Sequence, residues 1–391
     1  MSDPFFEQIS DGQWNACVGS QGAEENYVDG YIEAAIELAL AVIDKKMYSS
    51  RDTLAMPILY NGRHALELAL KYAISTLAKA GLVPEVNKLN HDIRALWQHL
   101  HDAQIGDEGL KNIIGEVNKY VVSLSSIDED GQQLRYFRTQ DGSKSLENIS
   151  VVNLPLIRSS LIEMGDVLTR LKYRVADLIE EHSSGTYTKE CSRLDLMKIA
   201  AIVGDKSTWK GESFDVRKQE ARNRFGLSGR QLSRALDQIQ KSRELGGSIG
   251  VEQQLAHLSD DKLVSLLTLW AEKNPVKTSS PDDLGSSYWE RDFEQVFAGY
   301  KEQAELNRKI KEMISIDELA DLTTLFHIGR GGEKGEHYDD VLAHFKRDLG
   351  SDKSNGVAYI TSKTSLLENV ILGTRAVGRP SLSAKLQAIR A

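Results

Sequence analysis

Only two cysteines occur in 391 residues, Cys17 and Cys191. A disulfide framework is therefore excluded, and with it the small stapled folds of secreted proteins. No Cys/His spacing matches a zinc site, so no metal is expected. Prolines number seven, too few to punctuate a chain of this length, which points to long uninterrupted helices. Long hydrophobic runs are missing too. The most apolar stretch, Ile32 to Ile43, is interrupted by Glu33 and Glu37 and is too short to cross a bilayer. Met1 to Glu7 lacks a basic segment followed by an apolar core, so no secretory leader is read there. A reducing, cytoplasmic setting is the expectation. A net charge of −9 gives no global signal for nucleic acid.

What is present is helical periodicity. An apolar content of 41% with 27% charged residues suits a globular chain of two or three domains. The expected class is all-α: several helical bundles, with a small β-hairpin inserted in the first. Helices are predicted over 24–46, 60–80 (with Pro57 ahead of it), a segment opening at Asn90 as N-cap, 108–127 and 154–181. Leu134 to Arg138 and Ile149 to Val152 read as the hairpin. Phe5, Phe6 and Trp14 suggest that an arm, residues 1–25, packs on something. A Ser/Gly-rich linker at 182–187 marks a boundary after the bundle of 26–182. The spacing then divides the rest into a basic helical region, 190–275, a further helical region, 276–349, and a basic tail, 350–391, with one short helix near Leu366 to Leu372. In the third region Ser279 to Asp283 forms a turn, a helix runs from about Tyr288 to Met313, and Ser315 with Glu318 opens another to Ile328.

Residues 60 to 101 hold four of the nine histidines. Arg63, Glu67 and Lys71 are spaced by four and predict i,i+4 ion pairs on one helical face. On a continuous helix His91, Arg94 and His101 share a face, His99 points away, and Ile93, Leu96, Trp97 and Leu100 form the buried stripe.

The succession Arg63-His64-Ala65-Leu66-Glu67-Leu68, then Lys71, followed by His91-Asp92-Ile93 and Leu96-Trp97, resembles the HEPN superfamily of small helical bundles. The likeness covers roughly 26–182. It includes Leu134 to Arg138 and the Asp141-Gly142 turn, which resemble an insertion in some members. Catalytic HEPN proteins are metal-independent ribonucleases whose motif is an Arg, four to six residues, then a His, usually paired across a dimer. The resemblance implies Arg94 with His101 or His99 as that motif, with His91 beside them, no cofactor, and a homodimer or a place in a larger complex. Arg94 would stabilise charge developing on the phosphate, and a histidine would move the proton of the attacking 2′-hydroxyl. The residue after the Arg is Ala95, where HEPN ribonucleases carry a polar one. Other HEPN-like bundles bind or dimerise without catalysis.

A second signal lies at 204–243, where ten Lys or Arg stand against five Asp or Glu. Phe214 to Phe225, the turn Gly226-Leu227-Ser228, and Gly229 to Lys241 are similar to a helix-turn-helix. Ser228 with Gln231 is a capping-box pattern. Leu232, Ala235, Leu236 and Ile239 make the inward stripe, while Ala221 and Gly226 take the small-residue and turn positions. Arg222 departs from that pattern. Arg222, Arg224, Arg230, Arg234 and Lys241 are the expected phosphate contacts. Finally, Arg330 and His337 flank the glycine-rich Gly329 to Gly335, which reads as a connector with Gly329 at the C′ position, as a ligand-contacting loop, or as a second Arg/His pair.

The reading is thus an HEPN-type RNA-targeting protein, either cleaving RNA as a metal-independent ribonuclease or binding it, in the manner of prokaryotic toxin and phage-defence systems, with RNA placed ahead of DNA. The alternative is a non-enzymatic nucleic-acid-binding regulator or a helical scaffold subunit.

Overall fold

The structure, a computed structural model, describes residues 12–86, 89–139, 142–275 and 293–390. Helices make up all of its extended regular structure. The chain divides into two compact units, Met1–Glu180 and Glu181–Ala391.

The first unit is built from α1 (Glu24–Asp44), α2 (Arg51–Lys79), α3 (Ile93–Asp102), α4 (Glu108–Ile127) and α5 (Leu154–Ser183). One core joins all five through Val28, Leu66, Leu70, Ile93, Leu110, Val117 and Leu171. Helix α2 is nine residues longer than expected at its start. Pro57 sits inside it, in the second turn. A proline costs most where it removes a mid-helix hydrogen bond; near the start of a 29-residue helix, burial of Ala55, Ile58 and Leu59 outweighs that cost.

Three local expectations are corrected. Helix α3 starts at Ile93, because Asp92 rather than Asn90 is the N-cap, accepting from Arg94 N (2.9 Å) and Ala95 N (3.0 Å). Asn90 instead accepts from Asp92 N. The β-hairpin is not formed. Among the described residues there is only an isolated antiparallel bridge, Arg138 with Lys144, closed by Thr139 N to Ser143 O and Ser145 N to Phe137 O. Thr139 also spends its hydroxyl on Ser143, so the segment folds onto itself instead of pairing with 149–152. Asp141 lies outside the described residues, as do Phe5 and Phe6, while Trp14 is 86% exposed among the described residues.

The second unit holds α6 (Arg193–Val203), α7 (Glu212–Phe225), α8 (Gly229–Lys241), α9 (Arg243–Ser248), α10 (Asp260–Lys273), α11 (Phe293–Met313), α12 (Ile316–Gly331), α13 (Tyr338–Leu349), α14 (Lys353–Thr361), α15 (Leu366–Ala376) and α16 (Pro380–Arg390). The expected turn at 279–283 and the start of a helix at Tyr288 lie outside the described residues. The tail is corrected from one short helix to three, and Leu366, Val370, Leu382 and Leu386 join the core of α10, α12 and α13. Its buried apolar spacing is interrupted by polar residues that are themselves buried, such as Thr361, Asn369 and Thr374.

Gly329 is likewise not a C′ residue. Helix α12 continues to Gly331, and Gly332 takes the left-handed conformation at φ 67°. Gly329 serves packing: a Cβ there would lie 1.9 Å from Asn369 O, and one at Gly373 would lie 1.9 Å from Leu325 O. The two helix backbones meet at this glycine pair. Gly329→Ala is expected to destabilise the second unit by about 1–3 kcal/mol through overpacking. Gly331→Ala should be neutral or slightly stabilising, since its Cβ meets only the Glu333 side chain at 3.5 Å and alanine is the better helix former. Urea unfolding of the two full-length variants checks the contrast.

Candidate functional site

In the first unit the site begins with a buried charge. Arg63 is 1% exposed and Glu67 2%, so the expected i,i+4 ion pair lies in the interior. Four guanidinium N–H bonds are made: Nε to Asp128 O (2.8 Å), Nη1 to Glu67 Oε2 (2.9 Å), and Nη2 to His91 O (2.7 Å) and Glu129 O (2.9 Å). Gly131, at φ 79°, lies against the guanidinium, and a Cβ there would come 3.0 Å from Nη1. Arg63 therefore ties α2 to the loop entering α3 and the loop leaving α4.

Glu67 completes the cluster. Its Oε1 accepts from Lys71 Nζ at 2.8 Å and lies 2.8 Å from His91 Nδ1. Burial works against ionisation of this carboxyl, but the hydrogen bonds from Lys71, His91 and Arg63 outweigh it and hold its pKa below the ordinary range. An ionised carboxylate only accepts, so Nδ1 of His91 carries the proton. The His91 side chain is 61% exposed. Nε2 is left as the position that can exchange a proton with a ligand. Nearby, His64 lies between Tyr31 (edge-on, 4.4 Å) and Tyr60 (stacked, 5.5 Å), and burial lowers its pKa.

The Arg/His motif does not assemble around these groups. His91 precedes the N-cap of α3, so it does not share a helical face with Arg94 and His101. Arg94 Nη2 donates to Ser125 Oγ on α4 at 3.1 Å. His101 stacks on Trp97 at 4.8 Å, with Nδ1 3.2 Å from Asp102 Oδ1. His99 Nε2 lies 3.0 Å from Pro84 O. Among the described residues no hydrogen bond joins Arg94 to either histidine. A cavity of about 700 Å³ between the end of α1, the start of α2 and residues 146–155 is mostly apolar, and its ionic lining residues, Arg51 and Asp52, pair with each other.

In the second unit, α6, α7 and α8 pack around Leu196, Ile199, Ala221, Leu232 and Ile239. The turn between α7 and α8 has the expected local chemistry. Gly226 is left-handed at φ 64°, and Ser228 with Gln231 closes a capping box in both directions. Helix α7 opens two residues before Phe214, at Glu212. Leu232, Ala235, Leu236 and Ile239 are buried, leaving Arg230, Arg234 and Lys241 exposed. No hydrogen bond or ion pair holds these three among the described residues. Arg222 behaves differently: its Nε donates to Leu227 O (3.3 Å), so it braces the turn. The guanidinium of Arg224 lies 5.5 Å from the Phe225 ring centroid.

The glycine-rich turn is a clamp. Glu336 accepts from Arg193 Nη2 (3.1 Å) and from the Ser242 hydroxyl, and Gly335 packs against the Ala376 carbonyl. Arg330 is exposed on the last turn of α12, and no hydrogen bond links it to His337 among the described residues.

Compared with family models, curated proteins and solved structures, the chain finds no match. The chemistry has to come from its own residues. Among the described residues no group of three or more His, Cys, Asp or Glu is arranged to hold a metal ion, and no helix is long and apolar enough to cross a membrane.

The Glu67–His91 pairing was hidden in the sequence. The two residues stand 24 apart, and their meeting depends on the loop before α3 turning back over α2. Because the folded Glu67 pKa is depressed, the stability it contributes is fully present above its unfolded pKa, about 4.3. It is lost as pH falls through the folded value. Glu67→Gln leaves Arg63 with Asp128, 3.6 Å from its Nε, as the remaining counter-charge, so a loss of about 1–3 kcal/mol is expected at pH 7, narrowing towards pH 3. Hydrogen exchange of α2 and α3 amides in both proteins across that range tests the direction and the window.

Proposed function

We propose that this chain is a nucleic-acid-binding protein whose second unit contacts the phosphate backbone through α8. The observation that carries the reading is the division of α8 into a buried apolar stripe and an outward row, Arg230, Arg234 and Lys241, whose charges are uncommitted. Phosphate oxygens satisfy such guanidinium groups in two-pronged geometry. The packed neighbours α6 and α7 and the capped turn supply a rigid base. Neutralising phosphates releases counterions, so binding should weaken steeply with salt despite the overall negative charge.

A second reading, RNA cleavage in the manner of HEPN toxins, is supported by one observation of its own. A buried, ionised Glu67 orients His91 so that Nε2 faces outward. Such an imidazole is suited to take the proton of a 2′-hydroxyl. His91 replaces the Arg94/His101 pair as the group best placed for this role, and a second copy of the chain would complete the site.

Arg230→Ala/Arg234→Ala is expected to weaken binding of labelled stem-loop RNA and duplex DNA by about tenfold or more, and to lower the slope of log affinity against log salt by about two for the duplex. Fluorescence anisotropy across a salt series measures both, and an unchanged slope overturns the α8 assignment. For cleavage, labelled single-stranded RNA in EDTA is compared among wild type, His91→Ala and Arg94→Ala/His101→Ala. Loss of cutting in the first variant alone supports the Glu67–His91 arrangement; loss in the double variant alone returns the role to α3.

A further inference from the structure

Within the second unit an aromatic and basic cluster on α12, α13 and α14 is unused by the reading above. His327 stacks on Phe345, with ring centroids 4.6 Å apart and planes at 29°. Tyr359 meets the edge of the same imidazole. The His327 and Tyr359 rings are parallel to within 2°, and Tyr359 Oη lies 3.2 Å from His327 Nε2. The hydroxyl and the imidazole hold the two rings as one rigid platform. Tyr359 is 42% exposed, although a tyrosine needed only for packing would bury its ring. The Lys363 ammonium sits 3.8 Å from the Tyr359 centroid. Neither it nor the exposed Arg330 makes a hydrogen bond or ion pair among the described residues. Arg330 and Lys363 are the permanent cations acting on His327, and Glu333 is the carboxylate opposing them.

We infer that this platform binds an unpaired nucleobase together with its phosphate. A base has a π-face that stacks on a fixed aromatic ring with little dependence on its identity, and each such contact is a large part of single-strand affinity. Lys363 already occupies the ring face as a cation over π density. When a base takes that face, the ammonium moves to the attached phosphate, and Arg330 meets the same or the neighbouring phosphate. The inference rests on the nucleic-acid reading of the second unit and narrows its ligand to one with unpaired bases, such as an RNA stem with a loop. A free nucleotide presents the same chemistry, so the test separates the two sources.

The experiment uses the full chain with an octauridine carrying one central 2-aminopurine, and separately with adenosine monophosphate. Wild-type protein is expected to change the fluorescence of the 2-aminopurine on binding. Tyr359→Ala should weaken this binding at least about tenfold, Tyr359→Phe should retain the stacking with a few-fold loss, and Lys363→Gln should weaken binding and flatten its salt dependence. Arg230→Ala/Arg234→Ala should leave the local fluorescence change in place even where overall affinity falls. Tighter binding of the oligonucleotide than of the monophosphate identifies a strand as the ligand; equal affinity identifies a free nucleotide. If wild type gives no fluorescence change and no monophosphate binding, or if Tyr359→Ala binds as wild type does, the platform is not a base site. The α8 assignment then still stands or falls on its own salt slope.

Discussion

The first unit depends on burying one guanidinium. An arginine stays charged at any pH a protein meets, so an interior site must supply acceptors for its N–H groups or lose several kcal/mol. Arg63 finds one carboxylate and three backbone carbonyls. Two of those carbonyls belong to loop residues, His91 before α3 and Glu129 after α4, and the third to Asp128, the C-cap of α4. The loops are therefore held by the demands of a charge on α2. The exposed His91 is fixed twice, by its own carbonyl on Arg63 and by its ring on Glu67. Its position is a consequence of solving the burial problem.

The same solution recurs in the second unit. Arg193 is held by Glu244 and Glu336. Arg379, 2% exposed, meets Glu252, Asp260 and the side chain of Gln254. Asp321, fully buried, accepts from the backbone of His257 and Leu258 and from Tyr338. These polar knots connect segments far apart in sequence, and glycine contacts such as Gly329 with Gly373 bring the helix backbones together around them. Each knot works only when complete, because removing one partner leaves another group desolvated and unpaired.

Much of the helical layout was legible in the residues, and what escaped has a common cause. Periodicity marked α1, α4, α5 and α8 because each has a broad apolar stripe, and Asp107 and Ser228 add side-chain caps to α4 and α8. The misread places are those where a tertiary contact overrode a local signal. Pro57 looked like a boundary until the buried residues around it carried α2 past it. Arg63, Glu67 and Lys71 read only as i,i+4 ion pairs, since that spacing is the same whether a face is wet or dry, and the loops that bury them leave no mark in it. The hairpin expectation took alternation for pairing, whereas Thr139 and Ser143 closed the turn on themselves. The tail at 350–391 read as a single short helix because its buried polar residues broke the apolar pattern.

That distinction also sorts the cations by role. Spacing alone treats Arg63, Arg94, Arg222, Arg230 and Arg330 alike, since each sits in a helix near other polar residues. Their donors separate them. Arg63 has four N–H bonds inside the fold, Arg94 is tied to Ser125, and Arg222 to the Leu227 carbonyl, so moving any of these to a ligand requires breaking an internal bond first. Arg230, Arg234 and Arg330 have nothing to break. A ligand phosphate meeting them competes only with water, which is the cheaper exchange. Recruiting Arg94 to a phosphate would free the hydroxyl of Ser125, a buried residue of α4, which has its own bond to Val122 O at 3.4 Å as the fallback. The committed arginines thus belong to the architecture, and the uncommitted ones are the cations that the proposed phosphate contacts would use at no internal cost.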